Sequence, residues 1–395
     1  MNTSTTRKRK LDIFLSFVKT EQAAGIILIL CAVISLILAN SGLQKLYLEF
    51  WHQHITIKGF SINLDLSLEQ WVNDGLMVIF FLLVGLEIKR ELCIGELSNF
   101  KKASLPIMAA LGGMIVPAIT YALVNKSHPA TIHGWGVPMA TDIAFALGVF
   151  SLLGKKASMS AKTFLMALAV IDDLGAIIVI AIFYSAGILW MNLIIALGIF
   201  IVLIILNFAK VSKTSIYLML GAVMWYFLLK SGVHATIAGV LIAITIPIKS
   251  SYTNYSPLET LEHNLHDIAG FVVMPLFALA NTAIILDAPI GKIIETPIAM
   301  GIIFGLCLGK PLGITLFTYI STKINLGQLP KKSTMKDIVG IGFLAGIGFT
   351  MSMLISVLAF KNDALKTDAK IAVLIASLIS AIIGYMFIKS TKKQA

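Results

Sequence analysis

Two adjacent aspartates interrupt a long apolar segment in the stretch Ala169-Val170-Ile171-Asp172-Asp173-Leu174-Gly175-Ala176. The surrounding residues 159–185 are long and apolar enough to cross a bilayer as a helix. A carboxylate in the middle of such a span costs about 2.5 to 3.5 kcal/mol on insertion scales, so it must be paired, hydrated or functional. The stretch therefore predicts a membrane protein with an ionic site in its interior.

The composition of the whole chain agrees with this prediction. Of 395 residues, 58% are hydrophobic and 13% are charged, whereas an ordinary soluble domain has about 25% charged residues. Soluble and disordered proteins are excluded. Cys31, Cys93 and Cys307 are far apart in apolar stretches, which favours packing over a disulfide or a metal site. Without clustered Cys and His ligands or a phosphate-binding glycine loop, no enzyme, resident metal or cofactor is expected.

Twelve apolar stretches predict an all-α polytopic membrane protein with twelve transmembrane helices. They form a single domain over residues 22–389, between a basic N-terminal segment (1–21) and a tail (390–395). The spans are 22–40, 71–90, 103–124, 134–153, 159–185, 190–208, 214–230, 232–248, 267–287, 297–319, 338–360 and 371–389.

The distribution of Lys and Arg predicts the orientation of these spans. With both termini in the cytoplasm, 22 of the 31 basic residues lie in inside segments and 8 in outside loops, as the positive-inside rule requires. The net charge of +11 is therefore explained by topology and needs no nucleic-acid partner. The remaining basic residue, Lys310, lies within the tenth span.

One outside loop has a strand pattern of its own. Residues 54–66 alternate apolar and polar side chains on both sides of a two-residue turn placed at Lys58 and Gly59, which predicts a small β-hairpin. The hairpin could cover the helix ends as a lid, or its edge could pair with a second subunit.

The fourth and eleventh spans are poor continuous helices. Glycines and Pro138 precede Thr141 and Asp142 in the fourth, and glycines recur through residues 340–348 in the eleventh. Each is the middle member of a three-span set, 103–185 or 297–389. Interrupted spans at corresponding positions predict inverted repeats with a transport site between them. Asp142 and Lys310 carry the charges that would neutralise the ends of the half-helices.

The buried charges predict an exchange site. Asp172 and Asp173 point about 100° apart on a helix, so both can reach one cavity. Two carboxylates in a site of low dielectric cannot easily both stay ionised, and either a proton or a hard cation such as Na+ relieves the repulsion. Lys310 precedes Pro311, which favours a kink there, and Asp172 is the expected partner of the Lys310 ammonium. A purely structural role for these charges is the alternative.

A cluster of mixed charge is predicted at the inner surface. Glu87, Arg90 and Glu91 lie at the end of the second span, and Glu262, His263 and His266 in the loop before the ninth. Imidazoles titrate near neutral pH, so this cytoplasmic rim is either a solvated surface or a pH sensor. His234, at the opposite side of the membrane, is by itself a helix cap or a packing residue.

Several motifs together resemble NhaA-type sodium/proton antiporters, a family of bacterial transporters. They are Phe80 to Glu91, Ala140 to Ala146, Ala169 to Ala176, Ser231 to Gly239 and Leu308 to Gly313, and the likeness runs from about residue 15 to 388.

The resemblance implies a secondary active transporter of the bacterial inner membrane, serving sodium and pH homeostasis. Its implied properties are twelve helices, crossed interrupted helices four and eleven, electrogenic exchange of more than one proton per Na+ or Li+, activation as pH rises, and a homodimer joined through the outer hairpin. The chain departs from the family at Asp267, where the pattern has Pro, so the pH set-point is the property that transfers least directly.

Matched position by position, the resemblance assigns roles to residues of this chain. Asp173 is the main ligand of Na+ and proton carrier, Asp172 joins it and bonds to Lys310, and Thr141 and Asp142 belong to the helix interruption. The pH response is assigned to Glu87, Arg90, Glu91, Glu262, His263, His266 and, separately, His234.

Two other classes of protein share part of this pattern. A sodium-coupled symporter for an organic anion would also use broken helices and acidic sites. An intramembrane aspartyl protease needs two aspartates facing each other from separate helices, whereas Asp172 and Asp173 are neighbours, and no Gly-x-Gly-Asp motif surrounds a second aspartate.

Overall fold

The computed structural model describes residues 21–59, 62–154, 158–185, 187–249, 256–287, 289–330 and 333–391. The predicted basic segment 1–21, apart from Glu21, and residues 392–395 of the predicted tail lie outside the described residues. Residues 390–391 of that tail are still helical.

The described part of the chain is mostly helical. In chain order the helices are α1 (Glu21–Ala39), α2 (Gln44–His52), α3 (Leu68–Cys93), α4 (Phe100–Asn125), α5 (Ile143–Ser151), α6 (Met159–Phe183), α7 (Trp190–Phe208), α8 (Thr214–Ser231), α9 (Ile237–Thr245), α10 (Pro257–Asn281), α11 (Ile290–Ile294), α12 (Pro297–Lys323), α13 (Met335–Ala345), α14 (Phe349–Ala359) and α15 (Asp363–Thr391). A 3₁₀ helix, Ile132–Met139, precedes α5.

The helices identify a multi-pass membrane protein. Within the described ranges, eight are long and apolar enough to cross a bilayer, or up to ten if each bent pair of helices is one span. One such pair is α13 with α14, bent by 49°, and the other is α1 with α2, bent by 115°. α9 and the segment formed by the 3₁₀ helix and α5 are shorter, so the total of twelve spans stays a prediction.

The outer faces of the helices are as apolar as their interior. On α7 only Ala196 and Leu203 are buried, while Ile194, Ile201 and Ile205 are exposed. Lipid tails are as apolar as these side chains, so no polar coat is required.

Helix α10 corrects the sequence-based boundary of the ninth span. The sequence placed Glu262, His263 and His266 in a loop, but α10 begins at Pro257 and contains all three. The Ser256 hydroxyl accepts a hydrogen bond from the Glu259 N–H at 3.2 Å, and Pro257 occupies the first helical turn, where its missing N–H costs nothing. These local capping signals begin the helix before its hydropathy becomes apolar.

The predicted hairpin is present as two antiparallel strands, β1 (His54–Gly59) and β2 (Ile62–Ser67). The predicted turn position is wrong, because Lys58 and Gly59 pair within the ladder with Asn63 and Ile62. Residues 60–61, which follow β1 and precede β2 in the sequence, lie outside the described residues. Across the strands, hydrogen bonds from Thr56 and then His54 lower the pKa of the Asp65 carboxyl.

Helices α4 and α12 cross at two glycines, Gly112 and Gly313, near the middle of both helices. A Cβ atom added to Gly112 would lie 2.2 Å from the Gly313 carbonyl oxygen, and one added to Gly313 would lie 2.1 Å from the Gly112 carbonyl oxygen. Small residues allow membrane helices to approach this closely. The crossing fixes the part of α12 that carries Lys310.

We expect Gly313→Val to destabilise the protein by about 3 kcal/mol or more, because the clashing atoms are backbone and cannot move aside. The measurement is the apparent melting temperature in detergent. Gly198→Val is the matched control, since a Cβ atom at Gly198 meets nothing within 4 Å. Equal melting temperatures for the two variants would contradict the assignment.

Candidate functional site

Two breaks in the helices meet at the centre of the protein. One separates the 3₁₀ helix ending at Met139 from α5, and the other separates α13 from α14. The Asp142 backbone N–H donates to the Ile347 carbonyl oxygen at 2.6 Å, joining the two breaks directly. Helix ends leave backbone groups without intrahelical partners, so polar side chains are needed here.

Asp142 satisfies the N-termini of two helices at once. Its Oδ1 accepts a hydrogen bond from the Phe145 N–H of α5 at 3.0 Å. Its Oδ2 accepts from the Thr350 N–H at 3.0 Å and from the Thr350 hydroxyl at 2.6 Å, both on α14. A negative charge between two helix N-termini is electrostatically favourable. Thr350 was not among the sequence-predicted residues, although a hydroxyl residue two positions after Gly348, the last glycine of the break, is a signal for such a cap.

We expect Asp142→Ala to cost about 4 kcal/mol of stability, since three hydrogen bonds to a charged acceptor are lost in the protein interior. The comparison is Ser158→Ala, which removes a single cap from α6, where the Ser158 hydroxyl accepts from the Ala161 N–H at 3.2 Å. A cap of that kind contributes about 1 kcal/mol. Thermal unfolding of both variants in one detergent makes the measurement, and a similar loss in both would count against the double-cap role.

The buried cation Lys310 contacts the other break and the aspartate pair. Its Nζ lies 2.9 Å from Asp172 Oδ2, with both side chains 0% exposed. It also donates to the carbonyl oxygen of Met139, the last residue of the 3₁₀ helix. The structure thus brings together Lys310 and Asp172, the partner expected from the sequence, and positions the ammonium at a helix C-terminus, where a positive charge is favourable.

The local cause of the Lys310 geometry is a widened turn in α12. Residues Gly305–Gly309 form a π turn directly before Lys310 and Pro311. Proline clashes with the carbonyl four residues earlier, and widening the helix relieves this clash. The sequence predicted a kink here, whereas the structure has a π turn inside a continuous helix.

Thr141 links the aspartate pair to the second break. Its hydroxyl oxygen lies 2.7 Å from Asp172 Oδ2 and 2.8 Å from the carbonyl oxygen of Ala345, the last residue of α13. A threonine hydroxyl has one hydrogen to donate, so it can serve one of these acceptors at a time.

Each aspartate of the pair keeps one oxygen available. Asp172 and Asp173 are each only 1% exposed, and Oδ1 of each accepts no hydrogen bond from any described residue. Buried polar atoms without a partner are rare in proteins and call for an explanation. Carboxylate and hydroxyl oxygens are the ligands that hard cations prefer, so Asp172, Asp173 and Thr141 have the chemistry to bind Na+, and the two carboxylates can take up a proton instead.

A cavity of about 420 Å³ approaches this pair from the predicted cytoplasmic side. Helix α6 contributes Thr163, Met166, Ala167 and Val170 to its wall. These positions recur every three to four residues and define one face of the helix, on which Asp173 is the next position. The cavity therefore ends about one helical turn from Asp173.

Charged residues surround the mouth of this cavity. Arg90 Nε lies 3.0 Å from both carboxylate oxygens of Glu262, and another nitrogen of Arg90 lies 2.9 Å from Glu91. Four of the sequence-predicted rim residues, together with Asp267, line the cavity: Glu87, Arg90, Glu91 and His266. His263 is exposed and is not among the lining residues.

His234 is not part of either cluster. It lies between α8 and α9, and its Nε2 is 2.9 Å from the Tyr184 carbonyl oxygen after α6. The structure thus positions this imidazole where it can link two helix ends.

Comparisons with known proteins extend over the whole of this architecture. The family described as Na+/H+ antiporter 1 matches residues 15–388. The Na+/H+ antiporter NhaA of Flavobacterium psychrophilum is 50% identical over 381 residues, covering 96% of this chain and 97% of its own. The Na+/H+ antiporter NhaA 1 of Clostridium beijerinckii is 48% identical over 382 residues, covering 96% and 95%.

A solved structure shares the fold. The sodium proton antiporter MjNhaP1 from Methanocaldococcus jannaschii, at pH 8, aligns with a TM-score of 0.53 and 13% identity over 96% of this chain and 97% of its own. The sequence matches cover both helix breaks, the aspartate pair and Lys310. The chain belongs to the Na+/H+ antiporter 1 family.

Proposed function

We propose that this protein is a secondary transporter that extrudes Na+ or Li+ in exchange for inward-moving protons, with Asp172 and Asp173 as the shared binding site. The observation that carries the proposal is a pair of buried carboxylates with unpaired oxygens where two broken helices meet. The family membership supports sodium and protons as the transported ions.

The exchange follows from competition for the two carboxylates. Both groups ionised and empty would repel each other in a poorly hydrated site, so the site holds either protons or a cation. Facing the cytoplasm, the pair releases protons and takes Na+ through the 420 Å³ cavity. After the site opens outward, Na+ leaves and protons return. Release of more than one proton per Na+ would make the exchange electrogenic.

Alternating access assigns the remaining charges a structural role. Lys310 and Asp142 neutralise helix ends at the two breaks, so these irregular segments remain stable within the membrane. The breaks belong, in this proposal, to the fourth and eleventh of twelve spans and to two inverted repeats, 103–185 and 297–389. Their movement would change which side of the membrane Asp172 and Asp173 face.

The cytoplasmic rim is proposed to make transport pH-dependent. Arg90 bridges Glu262 on α10 and Glu91 on α3, so a change of protonation in this cluster would alter the packing of α3 against α10 beside the cavity. His234, on the opposite side of the membrane, is proposed to contribute to the pH response separately, through its contact with the Tyr184 carbonyl oxygen after α6. The charged residues and histidines at the adjoining ends of α3 and α10 are Glu87, Lys89, Arg90, Glu91, Glu259, Glu262, His263, His266 and Asp267.

We expect Glu262→Gln to shift the pH profile of transport by about one pH unit. The substitution removes the carboxylate charge whose two oxygens contact Arg90 Nε, and a shift of one pH unit corresponds to about 1.4 kcal/mol. Na+-dependent proton movement measured from pH 6.5 to 9 tests this. Glu49→Gln, at an exposed position on α2, is the control. An unchanged pH profile for Glu262→Gln would remove Glu262 from the pH response.

The membrane context completes the proposal. By the positive-inside distribution of Lys and Arg, both termini lie in the cytoplasm of a bacterial cell and the hairpin lies outside. Pairing of β1 with β1 of a second copy, or of β2 with β2, would form a homodimer. Co-purification of differently tagged copies tests this, and a monomer in both mild detergent and membranes would contradict it.

The decisive experiment uses everted membrane vesicles with a pH-sensitive dye. After respiration acidifies the lumen, addition of Na+ or Li+ should release luminal protons and restore fluorescence. No organic solute is present, so a sodium-coupled symporter for organic anions would give no signal. Vesicles without the protein set the background, and an equal response in those vesicles would defeat the proposal.

A further inference from the structure

The 3₁₀ helix Ile132–Met139 leads directly into the groups at the centre of the site. The carbonyl oxygen of its last residue, Met139, accepts a hydrogen bond from Lys310, and Thr141, two residues further on, contacts Asp172. The position of this short helix therefore decides where both groups lie relative to the aspartate pair. Hydrogen bonds within a 3₁₀ helix have poorer geometry than those of an α-helix, so contacts with neighbouring helices are needed to fix it.

Side chains from several neighbouring helices bond to the backbone of the 3₁₀ helix. On α14, the Ser352 hydroxyl donates to the Val137 carbonyl oxygen at 2.7 Å. On α12, Lys310 donates to the Met139 carbonyl oxygen. From α6, the helix that carries the aspartate pair, the contact is made by Tyr184, which directly follows its last residue.

The Tyr184 hydroxyl bridges two backbone groups of the 3₁₀ helix. It donates to the His133 carbonyl oxygen at 2.9 Å and accepts from the Gly136 N–H at 3.1 Å. These two groups are three residues apart, the spacing at which a 3₁₀ helix joins a carbonyl oxygen and an N–H directly. A Cβ atom at Gly136 would lie 2.6 Å from the Tyr184 hydroxyl oxygen. The close approach of the hydroxyl therefore requires glycine at position 136.

Other contacts fix the ring and the backbone of Tyr184. The centroid of its ring lies 6.4 Å from that of Trp135, and the Phe183 ring packs edge-on against the same indole at 5.1 Å. The Tyr184 carbonyl oxygen lies 2.9 Å from His234 Nε2. A side chain that is already ordered by packing loses little further entropy when its hydroxyl bonds, so these contacts favour the bridge.

We infer that Tyr184 is a positioning residue for the transport site. Its hydroxyl keeps the 3₁₀ helix in the arrangement in which Thr141 contacts Asp172 and the last carbonyl group of the helix binds Lys310. The inference rests on the proposed function, in which the aspartate pair binds Na+.

The effect of the bridge on the site follows from the burial of the 3₁₀ helix. Gly136 is buried, and a buried backbone N–H is almost always paired. Without the hydroxyl, this N–H and the His133 carbonyl oxygen each lose a partner, and the turn between them changes shape to regain one. Met139 and Thr141 follow Gly136 by three and five residues, so the change moves the groups that contact the aspartate pair and its ammonium partner.

The test measures Na+-dependent proton movement in everted vesicles at one pH and over a range of Na+ concentrations. Tyr184→Phe keeps the ring and removes only the hydroxyl. It should raise the apparent KM for Na+ about fivefold, as for one lost neutral hydrogen bond, and keep the maximal rate within about twofold of the parent. A lower maximal rate with an unchanged KM would indicate a purely structural role and would overturn the inference.

Tyr217→Phe is the matched control. The Tyr217 hydroxyl donates to the Val211 carbonyl oxygen at 3.0 Å, so this variant loses a comparable bond away from the aspartate pair. It should keep the KM of the parent. An equal rise in KM for Tyr217→Phe would mean that loss of any such hydroxyl affects Na+ binding, and the specific role of Tyr184 would be wrong.

A second substitution disturbs the same bridge from the glycine side. Gly136→Ala introduces a methyl group next to the Tyr184 hydroxyl oxygen and should also raise the KM for Na+ about fivefold. In Tyr184→Phe/Gly136→Ala the hydroxyl that the methyl group would displace is already gone. The KM of the double variant should therefore match that of the single variants, whereas independent effects would multiply to about 25-fold. Multiplication would overturn the bridge.

Failure of the proposed function gives a different result. Parent vesicles without Na+-dependent proton movement would overturn both the proposed function and this inference. Where the parent exchanges Na+ for protons, a KM that Tyr184→Phe leaves unchanged would overturn the role of Tyr184 alone.

Discussion

Asp173→Asn is expected to abolish Na+-dependent proton movement, to below about 1% of the parent rate, because an amide neither carries charge nor exchanges a proton with a cation. The same change should leave the stability equal or higher. Asp173 Oδ1 accepts no hydrogen bond from a described residue, so replacing a buried carboxylate there removes an unfavourable charge. Vesicle assays and thermal unfolding in detergent make the two measurements.

The combination of lost transport and kept stability separates a transport residue from a packing residue. Asp65→Asn, the same chemical change at an exposed position on β2, is the matched control and should retain full transport. If Asp173→Asn exchanged Na+ for protons at the parent rate, the binding site would have to be elsewhere. If it failed to fold, the carboxylate would have a structural partner that the geometry does not contain.

The ion pair of Lys310 and Asp172 is expected to give the second-largest effect, on stability. Lys310→Met leaves the Asp172 carboxylate without its cation, and Asp172→Asn leaves the Lys310 ammonium without its anion. Each variant should lose about 3 to 5 kcal/mol of stability, the usual cost of removing one partner of a buried ion pair. The double variant should regain most of that loss, since neither charge remains. Thermal or denaturant unfolding of all four proteins gives the coupling energy directly.

A surface pair provides the reference for this cycle. Lys45 and Glu49 on α2 lie 3.9 Å apart and are largely exposed, so Lys45→Met and Glu49→Gln should couple by only about 0.5 kcal/mol. Additive losses at Lys310 and Asp172 would mean that the 2.9 Å contact contributes no net stability. In that case the ammonium would act mainly through the Met139 carbonyl oxygen, as a cap on the 3₁₀ helix.

The sequence was sufficient for those features that depend on local pattern. Apolar stretches of span length predict membrane helices because the bilayer selects for length and hydropathy alone. The strands of the hairpin follow from alternation over a few residues, and the two aspartates are conspicuous because their cost in lipid is high wherever the helix lies. The same local reasoning predicts the hairpin turn and the start of α10 at the wrong residues. Strand register and helix caps are set by hydrogen bonds that hydropathy does not contain.

Charge type also carried information about the breaks. The sequence indicated that Asp142 and Lys310 have the signs needed at helix ends, since the dipole of a helix end is the same in any fold. It did not indicate which ends. The structure pairs Asp142 with Phe145, three residues away, and also with Thr350, 208 residues away. It also brings the Lys310 ammonium into a hydrogen bond with the carbonyl oxygen of Met139, 171 residues earlier in the chain.

The sequence by itself thus determined that this is a membrane protein. It also determined the approximate positions of the helices and the charged residues within their apolar segments. Only the tertiary structure decided that Asp142 caps two helices, that the Lys310 ammonium pairs with Asp172, and that Asp173 lies about one helical turn beyond a cavity. The physical reason is the distance along the chain over which each effect acts. Hydropathy and helix dipoles act on neighbouring residues, whereas a contact between distant segments exists only after the packed helices have fixed their relative positions.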